Sequence, residues 1–226
     1  AMTVAGDDDA GEIARPCGLQ RLGHARRRLA RAHDDGAPGR RVGEVAGDDP
    51  HRVGLGHGGI EKLAEAVQQR WGRLDALIVN AGVLGELTPA AQLTSKVWNE
   101  VLAVNLIAPA RFIRAFEALL KQSDAGRAVF TTSGVGSRRA KAYWGAYGAS
   151  KAGLDNLVQS WARELDGSSV KINLLDPGRV RTRMRAKAAP GEDPMTLPHP
   201  DEIAPLFLRL CSRDETRHGQ IVEAQA

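Results

Sequence analysis

From residue 60 onward the apolar positions alternate between helical spacing and short continuous runs. Ile60, Leu63, Val67 and Trp71 recur every three or four residues, and Gly72 follows where a helix stops. Leu74 to Val79 is a brief apolar run ending at Asn80-Ala81-Gly82, the pattern of a strand covered on both faces that meets a loop. The stretch 94–121 reads as a long helix with Val97, Val101, Leu102, Ile113, Phe116 and Leu120 on spaced faces, and Pro109 is expected to kink it. Residues 128–132 read as the next strand. A helix over 145–165 sets Leu154, Leu157, Val158, Trp161 and Leu165 on one face, with Gly167 just past its end. Residues 171–175 form a strand broken by Asp176-Pro177-Gly178. The aperiodic stretch 179–200, rich in Arg, Pro and Gly, reads as a lid, and a helix over 201–211 and a strand over 220–223 complete the pattern.

This strand–helix alternation predicts an α/β fold: a single doubly wound parallel sheet in a three-layer, Rossmann-like α/β/α arrangement, with 1–226 forming one domain. Ligands of such sheets sit beyond the carboxyl ends of the strands. Asn80, Ser133 and Pro177 each follow a predicted strand on that edge.

Composition divides the chain. Residues 1–57 contain no aromatic residue and no lysine, but nine arginines, ten glycines and seven aspartates. Only nine Val, Ile and Leu residues lie in that stretch, a thin supply against a backbone entropy cost of roughly 1–2 kcal/mol per residue. The net charge of +4 is scattered and aromatics are few, so a nucleic-acid partner is not expected. Cys17 and Cys211 offer neither metal spacing nor a disulfide framework. No metal is expected from that spacing; with no apolar run of membrane-spanning length a membrane partner is not expected either, and the expected setting is the cytoplasm.

Tyr147 and Lys151 are four apart on a predicted helix and therefore share a face. A phenol beside an ammonium can exchange a proton near neutral pH, because the positive charge favours the phenolate. Such a pair alone says little, but its context adds to it. Ser133 follows a strand fourteen residues earlier, and Asn105 sits mid-helix among Val104, Leu106 and Ile107, where an amide is more useful as a buried anchor than as a helix former. Asn80-Ala81-Gly82 lets backbone approach a ligand closely.

With these residues in view, the chain resembles the short-chain dehydrogenase/reductase superfamily. The matching pieces are Leu74 to Gly82, Asn105, Ser133-x-x-Gly136, Tyr147-Gly-Ala-Ser-Lys151-Ala152, Asp176 to Met184 and His218 to Val222, in family order. The resemblance implies an NAD- or NADP-dependent oxidoreductase acting on a small ketone or secondary alcohol. Tyr147 would be the general acid/base, Lys151 would depress its pKa and hold the nicotinamide ribose, and Ser133 would bind the reacting oxygen. Asn105 would hold a relay water. Asn80, Ala81 and Gly82 would line the adenosine-ribose side of the cofactor, and Pro177, Gly178, Val180 and Thr182 its nicotinamide. A homodimer or homotetramer through the helices near 95–120 and 147–165 is implied as well.

The family's glycine turn after the first strand, where backbone amides meet the pyrophosphate, is missing. Its nearest echo carries Gly6, Gly11 and Ile13 as cofactor-contact candidates, with Asp7, Asp8 and Asp9 between them. Two readings of 1–57 stand: a stretch translated out of frame from GC-rich DNA, or a divergent segment of a cofactor-poor, non-catalytic Rossmann-like module. Either way, a strand–helix–strand unit is expected there. Arg40 and Arg41 could meet an NADP 2′-phosphate if they end the second strand, or be solvated surface. Arg138, Arg139 and Lys141, with the arginines of the lid, could flank an anionic substrate or form a solvated rim. Ser137 stands as a reserve for Ser133.

Overall fold

A computed structural model describes the backbone of residues 2–7, 40–45 and 58–225, and the side chains of 58–225. Six strands form one sheet in the order β2-β1-β3-β4-β5-β6. They are β1 (Met2–Asp7), β2 (Arg40–Val45), β3 (Ala76–Val79), β4 (Arg127–Thr131), β5 (Lys171–Asp176) and β6 (Ile221–Glu223). The helices are α1 (Gly59–Trp71), α2 (Ser95–Leu102), α3 (Ala108–Lys121), α4 (Gly145–Glu164), α5 (Arg183–Ala188) and α6 (Pro200–Leu210).

Strands β3 to β6 are parallel, as the alternation requires, and their carboxyl ends share one edge. Side chains alternate across this sheet. Ala128, Phe130, Ile172 and Leu174 enter one apolar cluster with Ile60, Phe116, Leu154 and Trp161, while Val129 and Leu175 face the other way towards Val180, Ile203 and Leu210. Both faces are thereby covered, which is why these strands read as continuous apolar runs.

The first two strands depart from the expected parallel sheet. β1 runs antiparallel to β3, with Met2 opposite Val79 and Ala5 opposite Ala76, and also antiparallel to β2. Antiparallel neighbours run in opposite directions and do not require the crossover that parallel neighbours need. The consequence is positional: Gly6 lies at the amino edge of β3 to β6, opposite the edge where Asn80 and Ser133 emerge. Gly6 thus does not stand on the edge where the other candidate cofactor residues emerge. Arg40 and Arg41 begin β2 rather than end it, at that same amino edge, so the condition set for a 2′-phosphate contact fails as well. Gly11 and Ile13, and the helix expected between the first two strands, lie outside the described residues.

The long helix predicted over 94–121 is continuous but irregular. A π-helical turn, Ala103–Ile107, joins α2 to α3, with Ala108 N–H donating to the Ala103 carbonyl. Pro109 has no N–H for the Asn105 carbonyl one turn back, so the irregularity falls just before the proline instead of as a kink at it. Such turns re-aim side chains, and here the buried residue they carry is Asn105. Among the described residues no helix is long and apolar enough to cross a membrane, and no group of His, Cys, Asp and Glu could hold a metal ion.

Candidate active site

Asn105 has no exposed surface and joins three elements. Its Oδ1 accepts from Val83 N at 2.9 Å, and its Nδ2 donates to Val83 O at 2.9 Å and to Ser150 Oγ at 3.0 Å. Ser150 Oγ in turn donates to the Tyr147 carbonyl at 2.7 Å. The amide thus ties the loop after β3 to the first turns of α4. Asn105→Leu would leave the part-buried Val83 N–H and carbonyl without their partners and take one donor from the Ser150 hydroxyl, at about 1–3 kcal/mol for each group left unpaired before relaxation. A loss of at least about 2 kcal/mol in chemical denaturation is expected, and an unchanged midpoint would remove Asn105 from this role.

Tyr147 and Lys151 are both buried on the inner face of α4. Lys151 Nζ donates to the Thr131 carbonyl at 2.8 Å, at the carboxyl end of β4. Burial lowers its pKa to about 8, against the opposing pull of Asp155 and Asp176. The Ser133 hydroxyl lies beside the Tyr147 phenol. The phenol's pKa is raised, first by burial and then by the Asp176 carboxylate, with the Ser133 hydroxyl working the other way. The expected depression of Tyr147 by Lys151 is thus not observed: the ammonium sits 6.0 Å from the ring centroid and points its hydrogen bond at Thr131. Trp144 braces the ring edge-on at 5.5 Å, and Lys141 lies 4.4 Å over the Trp144 ring.

The loops beyond the strands close around this group. Asn80 accepts from the Thr131 hydroxyl at 2.7 Å. A Cβ on Gly82 would stand 3.6 Å from Asn105 Oδ1 and 3.8 Å from Lys151 Nζ, so a side chain there would lie directly against both groups. After β5, Gly178 takes the left-handed backbone at φ +70° that favours glycine, and its N–H donates to Asp176 Oδ1 at 2.9 Å. Val180 is buried, whereas Thr182 is exposed at the N-cap of α5, its hydroxyl accepting from Arg185 N at 3.1 Å. Asn105, Ser133, Tyr147 and Lys151 therefore meet at the carboxyl edge, with Asn80, Gly82, Gly178 and Val180 around them. Ala81, exposed between Asn80 and Gly82, lies on the same loop.

The reserve candidate Ser137 is otherwise engaged: its hydroxyl donates to Asp155. Three of the basic groups expected to face an anionic substrate are matched by acids. Arg138 pairs with Asp176 and Glu223, and Arg179 and Arg185 pair with Glu192. Lys187 Nζ donates to the Gly85 carbonyl at 2.9 Å, fastening the lid to the loop after β3. Beneath that link is a cavity of about 360 Å³ lined by Leu84, Glu86, Val97, Glu100, Arg183 and Met184.

Three participants were missed in the sequence. Asp176 looked like a strand breaker, yet it is buried beside Tyr147 and Lys151. Gln225 donates to the Pro177 and Arg179 carbonyls at 2.8 and 3.0 Å, bracing the loop after β5, and no pattern announced it. Asp155 had a signal: an acid four residues after Lys151, on the apolar face of α4.

A family model described as short chain dehydrogenase matches residues 56–193, more than half of the chain. The protein belongs to the short-chain dehydrogenase family. An uncharacterized oxidoreductase of Escherichia coli K12, YciK, is 40% identical over 166 residues, covering 73% of this chain and 65% of that protein. A 3-oxoacyl-[acyl-carrier-protein] reductase of Thermotoga maritima is 28% identical over 173 residues, 72% of this chain and 69% of its own. Among solved structures, a short chain dehydrogenase of Shigella flexneri complexed with NADP is 37% identical with a TM-score of 0.71, covering 74% of this chain and 70% of that one. A related Escherichia coli protein complexed with NADPH is 39% identical with a TM-score of 0.69, covering 74% and 69%. The matched region thus spans about two thirds of each relative.

Proposed function

We propose that the protein is an NAD- or NADP-dependent oxidoreductase that interconverts a small ketone and its secondary alcohol. The observation that carries this reading is the buried Tyr147 phenol with the Ser133 hydroxyl beside it, one helical turn from a buried Lys151 that shares the Gly82 loop with the Asn105 anchor. Two carriers of a polarised proton, a buried cation and an open glycine loop at one sheet edge suit a carbonyl oxygen that must gain a proton as its carbon gains a hydride.

The nicotinamide cofactor, when bound, supplies or accepts that hydride. Ser133 and Tyr147 hold the substrate oxygen between two hydroxyls. In the reductive direction the Tyr147 O–H gives its proton to that oxygen, and the raised pKa keeps the phenol protonated at neutral pH. Lys151 and Tyr147 would hold the nicotinamide ribose. Asn80, Ala81 and Gly82 would lie along the adenosine-ribose side, with the close approach at Gly82 favouring backbone contact. Pro177, Gly178, Val180 and Thr182 would frame the nicotinamide amide. Self-association as a dimer or tetramer through α2 to α4 belongs to the same reading, since Trp98 and Ile107 are exposed apolar residues on that segment.

Incubation with NADPH or NADH and a panel of small ketones tests this: loss of the reduced-nicotinamide absorbance with formation of the alcohol is expected. A second reading, a Rossmann-like module that binds no dinucleotide, is favoured by one observation, the placement of Gly6 on the opposite sheet edge. No dinucleotide binding and no turnover by the intact chain would establish that second reading over the first.

A further inference from the structure

Asp155 is 1% exposed, on α4 one turn beyond Lys151 and two beyond Tyr147. Its two carboxylate oxygens are used separately: Oδ1 accepts from the Thr132 hydroxyl and Oδ2 from the Ser137 hydroxyl. Thr132 and Ser137 bracket the segment that carries Ser133. Thr132 is further held by its N–H to the Leu175 carbonyl at 2.8 Å, and within the segment Val135 N–H donates to Ser133 Oγ at 3.2 Å. The carboxylate is therefore a staple across the two ends of the loop, driven from the same helix that presents Tyr147.

Resting on the oxidoreductase reading, we propose that Asp155 is a positioning residue: by gripping Thr132 and Ser137 at once, it sets Ser133 against the Tyr147 phenol and places a fixed negative charge beside the Lys151 ammonium. Neither of its contacts reaches a substrate, so it acts through Ser133 and Lys151. A carboxylate suits this position because it accepts from two hydroxyl donors in different directions; an amide accepts through only one oxygen. The charged and titratable groups facing Lys151 are Asp155 and Tyr147 from α4 and Asp176 from β5, and Asp176 is already paired with Arg138. Removal of Asp155 thus withdraws a charge that favours the protonated ammonium, and Lys151 loses its proton at lower pH.

Asp155→Asn and the double variant Thr132→Val/Ser137→Ala separate the charge from the staple. Amide hydrogen exchange and steady-state turnover would both be measured on the full chain. In both variants exchange over residues 133–137 is expected to accelerate about tenfold or more while the sheet amides stay protected. In D155N kcat for ketone reduction is expected to fall about tenfold with little change in the dinucleotide KM, and the alkaline limb of the pH profile is expected to move to lower pH. In the double variant that limb stays in place. Slow exchange in both variants would overturn the staple, and parental kcat and pH limb in D155N would overturn the positioning role. If the parent turns over no ketone with either dinucleotide, the oxidoreductase reading fails, while the exchange result still decides whether Asp155 holds the loop.

Discussion

Tyr147→Phe is expected to lower ketone reduction by roughly 10²–10⁴-fold, the usual contribution of a positioned general acid. The variant keeps the ring, its edge-on contact with Trp144 and its place on the buried face of α4. What leaves is one buried hydroxyl and its polar interaction with the Ser133 side chain, so the stability cost is at most about 1 kcal/mol. Dinucleotide affinity should fall only a few-fold, because Lys151 and the loops after β3 and β5 remain. Stopped-flow or steady-state assays read the loss, and dinucleotide titration by fluorescence reads the affinity. Turnover within a few-fold of the parent would show that Tyr147 does not give the proton.

Lys151→Met separates activity from stability more sharply. A buried ammonium is expensive: lowering the pKa from 10.5 to about 8 means that keeping the group charged at neutral pH costs the fold about 3 kcal/mol. Because the native state releases this proton more readily than the unfolded chain, the penalty is fully present below about pH 8 and is relieved as pH rises from about 8 towards 10.5. The parent should therefore gain stability over that window through this residue, and Lys151→Met should lose that gain. At neutral pH the variant forfeits the hydrogen bond to the Thr131 carbonyl but escapes the desolvation, so its denaturation midpoint should match or exceed the parent's. Turnover should nonetheless drop roughly 10²–10³-fold, the scale of losing one preorganised donor from a water-poor site. Parental activity in this variant would remove Lys151 from the mechanism, and a retained rise in stability from pH 8 to 10.5 would place the buried proton elsewhere.

Legibility of the site followed the range of the interactions involved. Tyr147 and Lys151 could be paired from spacing alone, since four residues on a helix share a face whatever surrounds it. Ser133 and Asn105 needed the order of short motifs along the chain, because their neighbours in space, Tyr147 and Ser150, are far away in sequence. Asp155 and Asp176 escaped notice as participants for a different reason. A carboxylate in a sequence is solvated by default, and only the packing of α4 against the end of β4 puts the Thr132 and Ser137 hydroxyls where Asp155 can be buried. The direction of the phenol's pKa shift was read backwards for the same cause: proximity of the ammonium is visible in spacing, but burial is not. The irregular turn before Pro109 was placed slightly late, since a proline weakens the hydrogen bond to the preceding turn while neighbouring packing decides where the helix widens.

The sheet divides in the same manner. The apolar runs of β3, β4 and β5 announced strands covered on both faces, and the helices between them required parallel pairing. Strand direction at β1 carries no such mark. Any backbone can pair in either sense, and the first 57 residues supply too few large apolar side chains for a pattern to choose. By itself the sequence determined the parallel core, the carboxyl edge on which the candidate residues lie, and the Tyr147–Lys151 pair, because local periodicity and short connections dictate these. Only the tertiary structure decided that Gly6 lies on the far edge, that the Ser137 hydroxyl is spent on Asp155, and that this buried aspartate also takes the Thr132 hydroxyl. Those outcomes depend on which polar groups are desolvated together, a property of contacts between segments and not of any one of them.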